Sequence, residues 1–476
     1  MKNAQGRKSV ANGFDFSHGL EGLDADEAAV VRRRQKVLGT MGPLFYNRPL
    51  HVVSGSGVHL RGADGADYLD CYNNVACVGH SNPHVRQAVA DQLGRQNTHS
   101  RYLQDEVLDY AERLLATFPG AIDHVAFTNS GSESNDLALR MARVATGHMG
   151  VVVTQGAYHG ITSLVSSVSP SFGTGLPLAP FLATVRVDDA LHDADGSGDG
   201  TGDGADGAAA SDAAADAVWA VLGPRFNQAF DALEHGGYGV SCVLIDEVMS
   251  SDGILPGARG WIARLADAVH ARGGLLISDE VQAGFGRMGG VMWGFQRHGA
   301  EADIVTMGKP MGNGIPVGGV AYRHPIGDAF AACTRYFNTF GGNPVSMRAA
   351  GAVLDEIERL GLVAHARDMG DRLARDLSEI LEGHERFGGL RHAGLFLGID
   401  VTDGGGADDG GDARPDGAAA RAIVNALRDD EHVLISAAGP GDAVLKVRPP
   451  LVFDDSDADR LLEAVRHICE RGLFDR

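Results

Sequence analysis

Asp303-Ile-Val-Thr-Met-Gly-Lys-Pro-Met-Gly-Asn-Gly-Ile-Pro-Val-Gly-Gly319 reads as an apolar strand running into a glycine-rich turn, with a lysine at the junction. Beyond residue 36 the chain has only two lysines, Lys309 and Lys446, and nearly all its other basic residues there are arginine. An amine can lose its proton and attack a carbonyl, whereas a guanidinium cannot. Lys309 is therefore a candidate Schiff-base nucleophile. Taken alone it is equally a solvated lysine at a strand end, and the neighbouring segments decide between the two.

Working outward, His124-Val-Ala-Phe-Thr128 reads as a buried strand, Asn129–Ser134 as a tight turn, and Asn135 to Thr146 as a helix with Leu137, Met141 and Val144 on one face. Val151–Thr154, Cys242–Ile245, Gly274–Ser278 and Asp303–Thr306 are further short apolar strands, separated by helical stretches such as Trp261 to Ala271. This alternation implies an α/β fold with a mostly parallel sheet between helices, and ligands in such sheets sit beyond the carboxyl ends of the strands.

Three segments fall at those ends. Ser130-Gly131-Ser132 opens a helix, where free amides and the positive dipole end suit a phosphate, although the same residues also serve as an ordinary N-cap. Ile277-Ser-Asp-Glu-Val-Gln-Ala-Gly-Phe-Gly-Arg287 puts Asp279 directly after a buried strand, where an ionised carboxylate is costly unless it faces a cation or a strong donor. A helix-capping aspartate is the alternative. Ala157-Tyr158-His159-Gly160 places an aromatic face at the same edge, suited to stacking on a planar ring or to core packing. Tyr336-Phe-Asn-Thr-Phe-Gly-Gly-Asn-Pro344 is another polar, glycine-rich loop with a hydroxyl at its centre, Thr339.

Composition sets the bounds. With 476 residues and 44% hydrophobic content the chain can bury a large core, and no run approaches the 18 or so apolar residues that span a bilayer. The first thirty residues hold no apolar signal core, so a cytoplasmic location is expected. Five scattered cysteines without Cys-x-x-Cys spacing indicate neither a disulfide framework nor a zinc site, and no metal is expected. The net charge of −21 argues against a nucleic-acid partner. Much of it is local: Leu191 to Asp216 carries seven Asp and no Lys or Arg, and Thr402 to Gly417 carries five Asp and one Arg. Both are Gly/Ala/Asp-rich and are expected to be disordered insertions. The expected organisation is an N-terminal tail over 1–40, partly disordered; the first part of a small domain over 41–100; a large domain over 101–345; and the rest of the small domain over 346–476.

In order and spacing the chain resembles the class III, fold type I aminotransferases, which use pyridoxal 5'-phosphate. The resemblance runs from about residue 45 to the end and rests on Tyr68-Leu-Asp70, Val78–Pro83, Ser130-Gly-Ser-Glu133, Tyr158-His-Gly160, Asp279-Glu-Val-Gln282 with Gly284–Arg287, Gly308-Lys309 and Thr339–Pro344. It implies a seven-stranded, mostly parallel sheet in the large domain and a small α+β domain. It further implies that Lys309 bonds the cofactor as a Schiff base and later acts as base, that Asp279 pairs with the ring nitrogen, and that Gln282 contacts the ring hydroxyl. Tyr158 would stack on the ring, with His159 and Asp246 nearby. Ser130, Gly131 and Ser132 would hold the phosphate with Thr339 from a second subunit, which makes the expected partner a second copy in a dimer, with or without pairing of dimers into tetramers.

Two departures bear on the substrate. Many members carry an arginine where Leu445-Lys-Val-Arg-Pro-Pro-Leu451 has Lys446, and a lysine binds anions as a point charge without the guanidinium fork. Asp246-Glu-Val-Met-Ser-Ser-Asp-Gly253 has Ser251 where some members have a gating glutamate. With Cys71–Ala76, Asn97–Arg101 and Val433–Ala437, these look closer to the branch holding ethanolamine-phosphate phospho-lyases and mitochondrial alanine–glyoxylate aminotransferase. The expected activity is amino transfer from an amino acid or amine to a 2-oxo acid, the commonest in the family, with phosphate elimination from a phosphorylated amino alcohol as the alternative. Tyr72, Lys446, Arg448 and Arg101 are the candidate substrate-binding residues; salt bridging at a surface or interface is the other role open to the last three.

Overall fold

A computed structural model describes residues 13–16, 20, 22–192, 205–405 and 413–475. Three strands near the N-terminus, β1 (Val52–Ser56), β2 (His59–Gly62) and β3 (Asp67–Asp70), form an antiparallel meander. Then come β4 (His124–Thr128), β5 (Gly150–Thr154), β6 (Leu182–Val185), β7 (Val240–Asp246), β8 (Leu275–Asp279), β9 (Ile304–Met307) and β10 (Gly318–Tyr322). They build one seven-stranded sheet in the order β4-β10-β9-β8-β7-β5-β6, parallel except at β10, which runs antiparallel to both neighbours.

The apolar runs follow from this placement. Every residue of β5 and β9 is buried, as a parallel strand covered on both faces requires. The helix Gly131–Thr146 packs Leu137 and Met141 against the sheet and stops at Gly147, whose φ of 71° suits a residue without a Cβ. Trp261–His270 buries Trp261, Ile262, Leu265 and Val269 on its inner face.

β10 grows out of what reads in sequence as the end of a turn: Gly318 and Gly319 are strand residues. A Cβ at Gly318 would lie 2.5 Å from Thr128 Oγ1, so the close approach of β10 to β4 is open only to glycine.

The C-terminal part adds β11 (Phe387–His392), β12 (Leu397–Val401), β13 (Val433–Leu434), β14 (Ser436–Ala438) and β15 (Val444–Val447). Four of them form a sheet in the order β11-β12-β15-β14, while β13 pairs in parallel with β3 and joins the C-terminal segment to the N-terminal meander.

The N-terminal tail, expected to be partly disordered, and the described parts of the two acidic segments expected to be disordered carry structure. Within the N-terminal 40 residues, Ala25–Leu38 is a helix closed by a capping box between Asp24 and Glu27. In the first acidic segment Leu191 is fully buried, and the helix Ala205–His235 takes up the later part, with Ala215 buried and Asp216 3.0 Å from Arg264. Alanine is the strongest helix former, and the Ala-rich run outweighs its acidic neighbours. In the second segment Thr402 bridges to Pro415, and Asp416 caps the helix Gly417–Asp430 while pairing with Arg386 at 2.6 Å. The centres of those acidic segments, 193–204 and 406–412, lie outside the described residues. Among the described residues all five cysteines are free, four of them buried, and no helix is long and apolar enough to cross a membrane.

Candidate active site

Glycines bring four strand ends together. A Cβ at Gly131, the first residue of the helix after β4, would lie 2.7 Å from Val281 Cγ2, just past β8. A Cβ at Gly308, next to Lys309, would meet the backbone N of Gly131 at 2.8 Å, and one at Gly160, after β5, would meet Ser132 Oγ at 2.5 Å. The loops bearing Lys309, Asp279 and Tyr158 are thus seated on one helix N-terminus. Ser130 caps that helix, its hydroxyl accepting from Glu133 N, and Ser132 Oγ accepts from Ile161 N at 3.1 Å.

Asp279 is buried, and its Oδ2 accepts from His159 Nδ1 at 2.7 Å and from Asn135 Nδ2 at 2.8 Å. Asn135 Oδ1 in turn accepts from Thr306 Oγ1 at 2.6 Å, which fixes which end of the amide faces the carboxylate. The other ring nitrogen of His159, Nε2, is buried without a partner. The arrangement holds an anion in place with oriented donors, ready for a cationic group.

Lys309 sits at the end of β9, and burial pushes its amine below the ordinary lysine value. Arg448 adds to the depression, while Asp279 and Asp246 oppose it. Asp246 is the register partner of Asp279 on the adjacent strand, and burial together with that neighbouring charge raises its carboxyl.

Beyond Asp246 lies a basic end. Lys446, on β15, and Arg448, just past it, are both buried. Lys446 Nζ donates to Ser250 O at 2.7 Å, and burial lowers its value to about 7. Arg448 donates to Tyr72 O at 3.2 and 3.1 Å and to Gln282 Oε1, and its guanidinium lies 5.1 Å from the Tyr72 ring centroid. Gln282 donates from Nε2 to Ser250 Oγ. Lysine and arginine are separated by 5.9 and 5.2 Å respectively from the same Phe396 ring. Neither forms an ion pair among the described residues.

Tyr158 is half-buried with its ring edge-on to Phe172, centroids 5.3 Å apart. Two candidates lie apart from this cluster. Thr339 is exposed, on a loop tied to the helix start by Asn338, whose side chain bonds Asn129 and Glu133 at 2.8 Å each. Arg101 is exposed as well, stacked 3.6 Å over Phe337. Tyr102, Leu103, Ile161 and Phe340 are exposed as well.

Sequence reasoning passed over Asn135 and Ser250. Asn135 was read only as the first residue of a helix, and Ser250 is an inconspicuous loop serine. Their roles arise from contacts with residues far along the chain, Asp279 and Thr306 for one and Gln282 and Lys446 for the other.

The "Aminotransferase class-III" family matches residues 45–469. The chain belongs to that family. It is 38% identical to a Drosophila melanogaster protein named "Alanine--glyoxylate aminotransferase 2-like", over 97% of this chain and 92% of that one. It is 36% identical to a Caenorhabditis elegans protein named "Ethanolamine-phosphate phospho-lyase homolog 1", over 92% and 91%. A solved Arthrobacter phospholyase, in complex with phosphoethanolamine, superimposes with a TM-score of 0.82 at 40% identity, covering 92% of this chain and 98% of the other. This class III enzyme is pyridoxal-phosphate-dependent and has the type I fold. Its residues fit that cofactor: an amine at Lys309, an oriented buried anion at Asp279, and a helix N-terminus approached so closely that a Cβ on Gly308 would strike backbone.

Proposed function

We propose that this enzyme eliminates phosphate from a small phosphorylated amine of the phosphoethanolamine class. The observation that carries the reading is the pair of buried cations, Lys446 and Arg448, whose hydrogen bonds go only to the neutral oxygens of Ser250, Tyr72 and Gln282. Among the described residues neither cation is hydrogen-bonded to a carboxylate, Asp246 acting on both only through space, and such a pair forms a site for an incoming anion, of which a dianion uses both. The 40% identity to a phospholyase solved with phosphoethanolamine supports the same choice.

Bound pyridoxal phosphate supplies an electron sink for a carbanion formed beside the substrate nitrogen. The chain would do the rest. Asp279, oriented by Asn135 and His159, would keep a proton on the ring nitrogen; Gln282 would meet the ring hydroxyl, and Tyr158 would cover the ring. Ser130, Gly131 and Ser132 take the cofactor phosphate with Thr339 of the partner subunit. Lys309, its amine made easier to deprotonate by burial, would hold the cofactor covalently and would be the base for the substrate proton. Lys446 and Arg448 hold the substrate phosphate and stabilise the charge it carries away as the carbon–oxygen bond breaks. Tyr72 would line that end, whereas Arg101, exposed and stacked over Phe337, lies apart from it.

A second reading, amino transfer to a 2-oxo acid, is supported by the 38% identity to the Drosophila protein and by the ability of the same cations to grip a carboxylate. Incubation of the loaded enzyme with phosphoethanolamine and no oxo acid separates the two. Sustained phosphate release with the cofactor spectrum preserved is the expected result. Conversion of the cofactor to its amine form, stopping after one equivalent and without phosphate, would overturn elimination in favour of transfer.

The proposal includes a homodimer, supported by the exposure of the large apolar side chains Tyr102, Leu103, Ile161 and Phe340. It includes 41–100 and 346–476 acting as one smaller lobe against 101–345, supported by the pairing of β13 with β3. It also includes a cytoplasmic location, for which the five free thiols are the support.

A further inference from the structure

We propose that Ser250 is a positioning residue that couples the anion-binding end of the site to its cofactor end. The inference rests on the assignment of Lys446 and Arg448 to substrate anion binding made above. Ser250 is fully buried and touches both ends at once. Its main-chain oxygen accepts from Lys446 Nζ at 2.7 Å, and its hydroxyl lies against Gln282 Nε2 and Asp246 Oδ2.

Donor and acceptor counting gives the chain one direction. Arg448 has only donors, so the Gln282 atom facing it is the carbonyl oxygen, and the amide nitrogen of Gln282 must donate onward. Ser250 Oγ accepts that bond. Its single proton is then free for the Asp246 carboxylate, which also accepts from Ser250 N at 3.0 Å and Val248 N at 3.2 Å. Arg448, Gln282, Ser250 and Asp246 form one polarised line from a buried cation to a half-buried carboxylate, and such a line strengthens at each bond.

The loop that presents Ser250 is built at a cost. Met249, immediately before it, has φ of 44°, and the β-branched Ile254 has φ of 61°, both in the left-handed region that such residues avoid. Asp252 holds the strained loop to the sheet, accepting from Thr154 Oγ1 and Gly156 N at 2.7 Å each. Turn connectivity alone does not require two such residues in one loop; fixing Ser250 between two charged clusters gives them a purpose.

Removing the hydroxyl leaves Gln282 Nε2 without its acceptor and takes one donor from Asp246. Gln282 is then free to turn, Arg448 keeps only its two bonds to Tyr72 O, and the Asp246 carboxyl, already raised by burial, rises further. Less negative charge beside Lys309 makes the lysine-linked group easier to deprotonate.

The test uses loaded Ser250→Ala and Ser250→Thr enzymes with inorganic phosphate as the probe, bound phosphate being read from the cofactor absorbance and by calorimetry. In Ser250→Ala, phosphate should bind roughly fivefold to tenfold more weakly, as expected for a lost bond in a charged network. The pH midpoint of the cofactor absorbance should move down by roughly half a unit. Ser250→Thr, which keeps the hydroxyl, should recover both. Unchanged affinity and midpoint in Ser250→Ala would overturn the inference, as would equal impairment of the two variants, which would reduce Ser250 to packing. Wild-type enzyme that ignores phosphate at tens of millimolar would overturn the inference and the anion pocket together. A normal phosphate response without turnover of phosphoethanolamine would overturn only the elimination reading and leave the coupling standing.

Discussion

Affinity for an anionic substrate should fall as pH rises through neutrality, because Lys446 is buried strongly enough to lower its amine from 10.5 to about 7. Burial is the main cause, with Arg448 and Lys309 adding repulsion and Asp246 partly offsetting it. At that value about half of the lysine is charged at pH 7 and about one percent at pH 9. If only the charged form grips the anion, KM for phosphoethanolamine should climb by up to about fiftyfold over that range. The substrate phosphate contributes little, since its second ionisation lies near 6 and is about nine-tenths complete at pH 7. Arg448 stays protonated throughout and keeps binding from vanishing. Initial rates from pH 7 to 9 give KM directly. Lys446→Gln should bind weakly at every pH with a flat profile. A wild-type KM that does not change between pH 7 and 9, or a slope that persists in Lys446→Gln, would refute the reasoning.

Other outcomes follow from the same geometry. Lys309→Ala should lose turnover and the absorbance of covalently linked cofactor, and normal turnover in that variant would remove the basis of the assignment. Gly308→Ala drives a Cβ to 2.8 Å from backbone that cannot swing aside, so it should cost on the order of 1–3 kcal/mol and weaken cofactor retention; melting and spectrophotometric titration check both. Glu247 and Glu280, both fully buried, meet at Ser278 Oγ, 2.7 and 3.0 Å away, and one serine proton cannot serve two carboxylates. Burial raises both, Glu280 to about 7, with each other's charge and those of Asp246 and Asp279 adding to Glu247. The folded state then binds more protons than the unfolded one above about 4.5, so this contribution is present in full below that pH and is lost as pH rises through about 7. Glu247→Gln should therefore lose less melting temperature between pH 5 and 8 than wild type, and parallel slopes would exclude the shared proton.

Chemistry that depends on one residue type at one strand end was legible in the sequence. Lys309 and Asp279 stand where the alternation of apolar runs and glycine turns put them, and β4 spans the residues read for it, His124–Thr128. What was not legible depends on pairing across long separations. β10 hides in a glycine run because its fitness as a strand comes from the closeness of Thr128, nearly two hundred residues earlier, and not from its own side chains. The acidic segment after Leu191 reads as unfoldable by composition, yet Arg264 supplies a partner for Asp216 and the alanines supply the helix. Ser250 is the clearest instance, since nothing local distinguishes it from Ser251. Its significance depends on Lys446 and Gln282 arriving from β15 and from the turn after β8. The same long-range closure explains why a lysine works at 446. A fork is already supplied by Arg448, and Lys446 meets the Phe396 ring and the single carbonyl of Ser250, which takes one of its protons. A single ammonium needs only that carbonyl and leaves its remaining protons for the substrate. The departure from the family's arginine thus reads as a division of labour between two cations, one fixing orientation and one supplying a titratable charge.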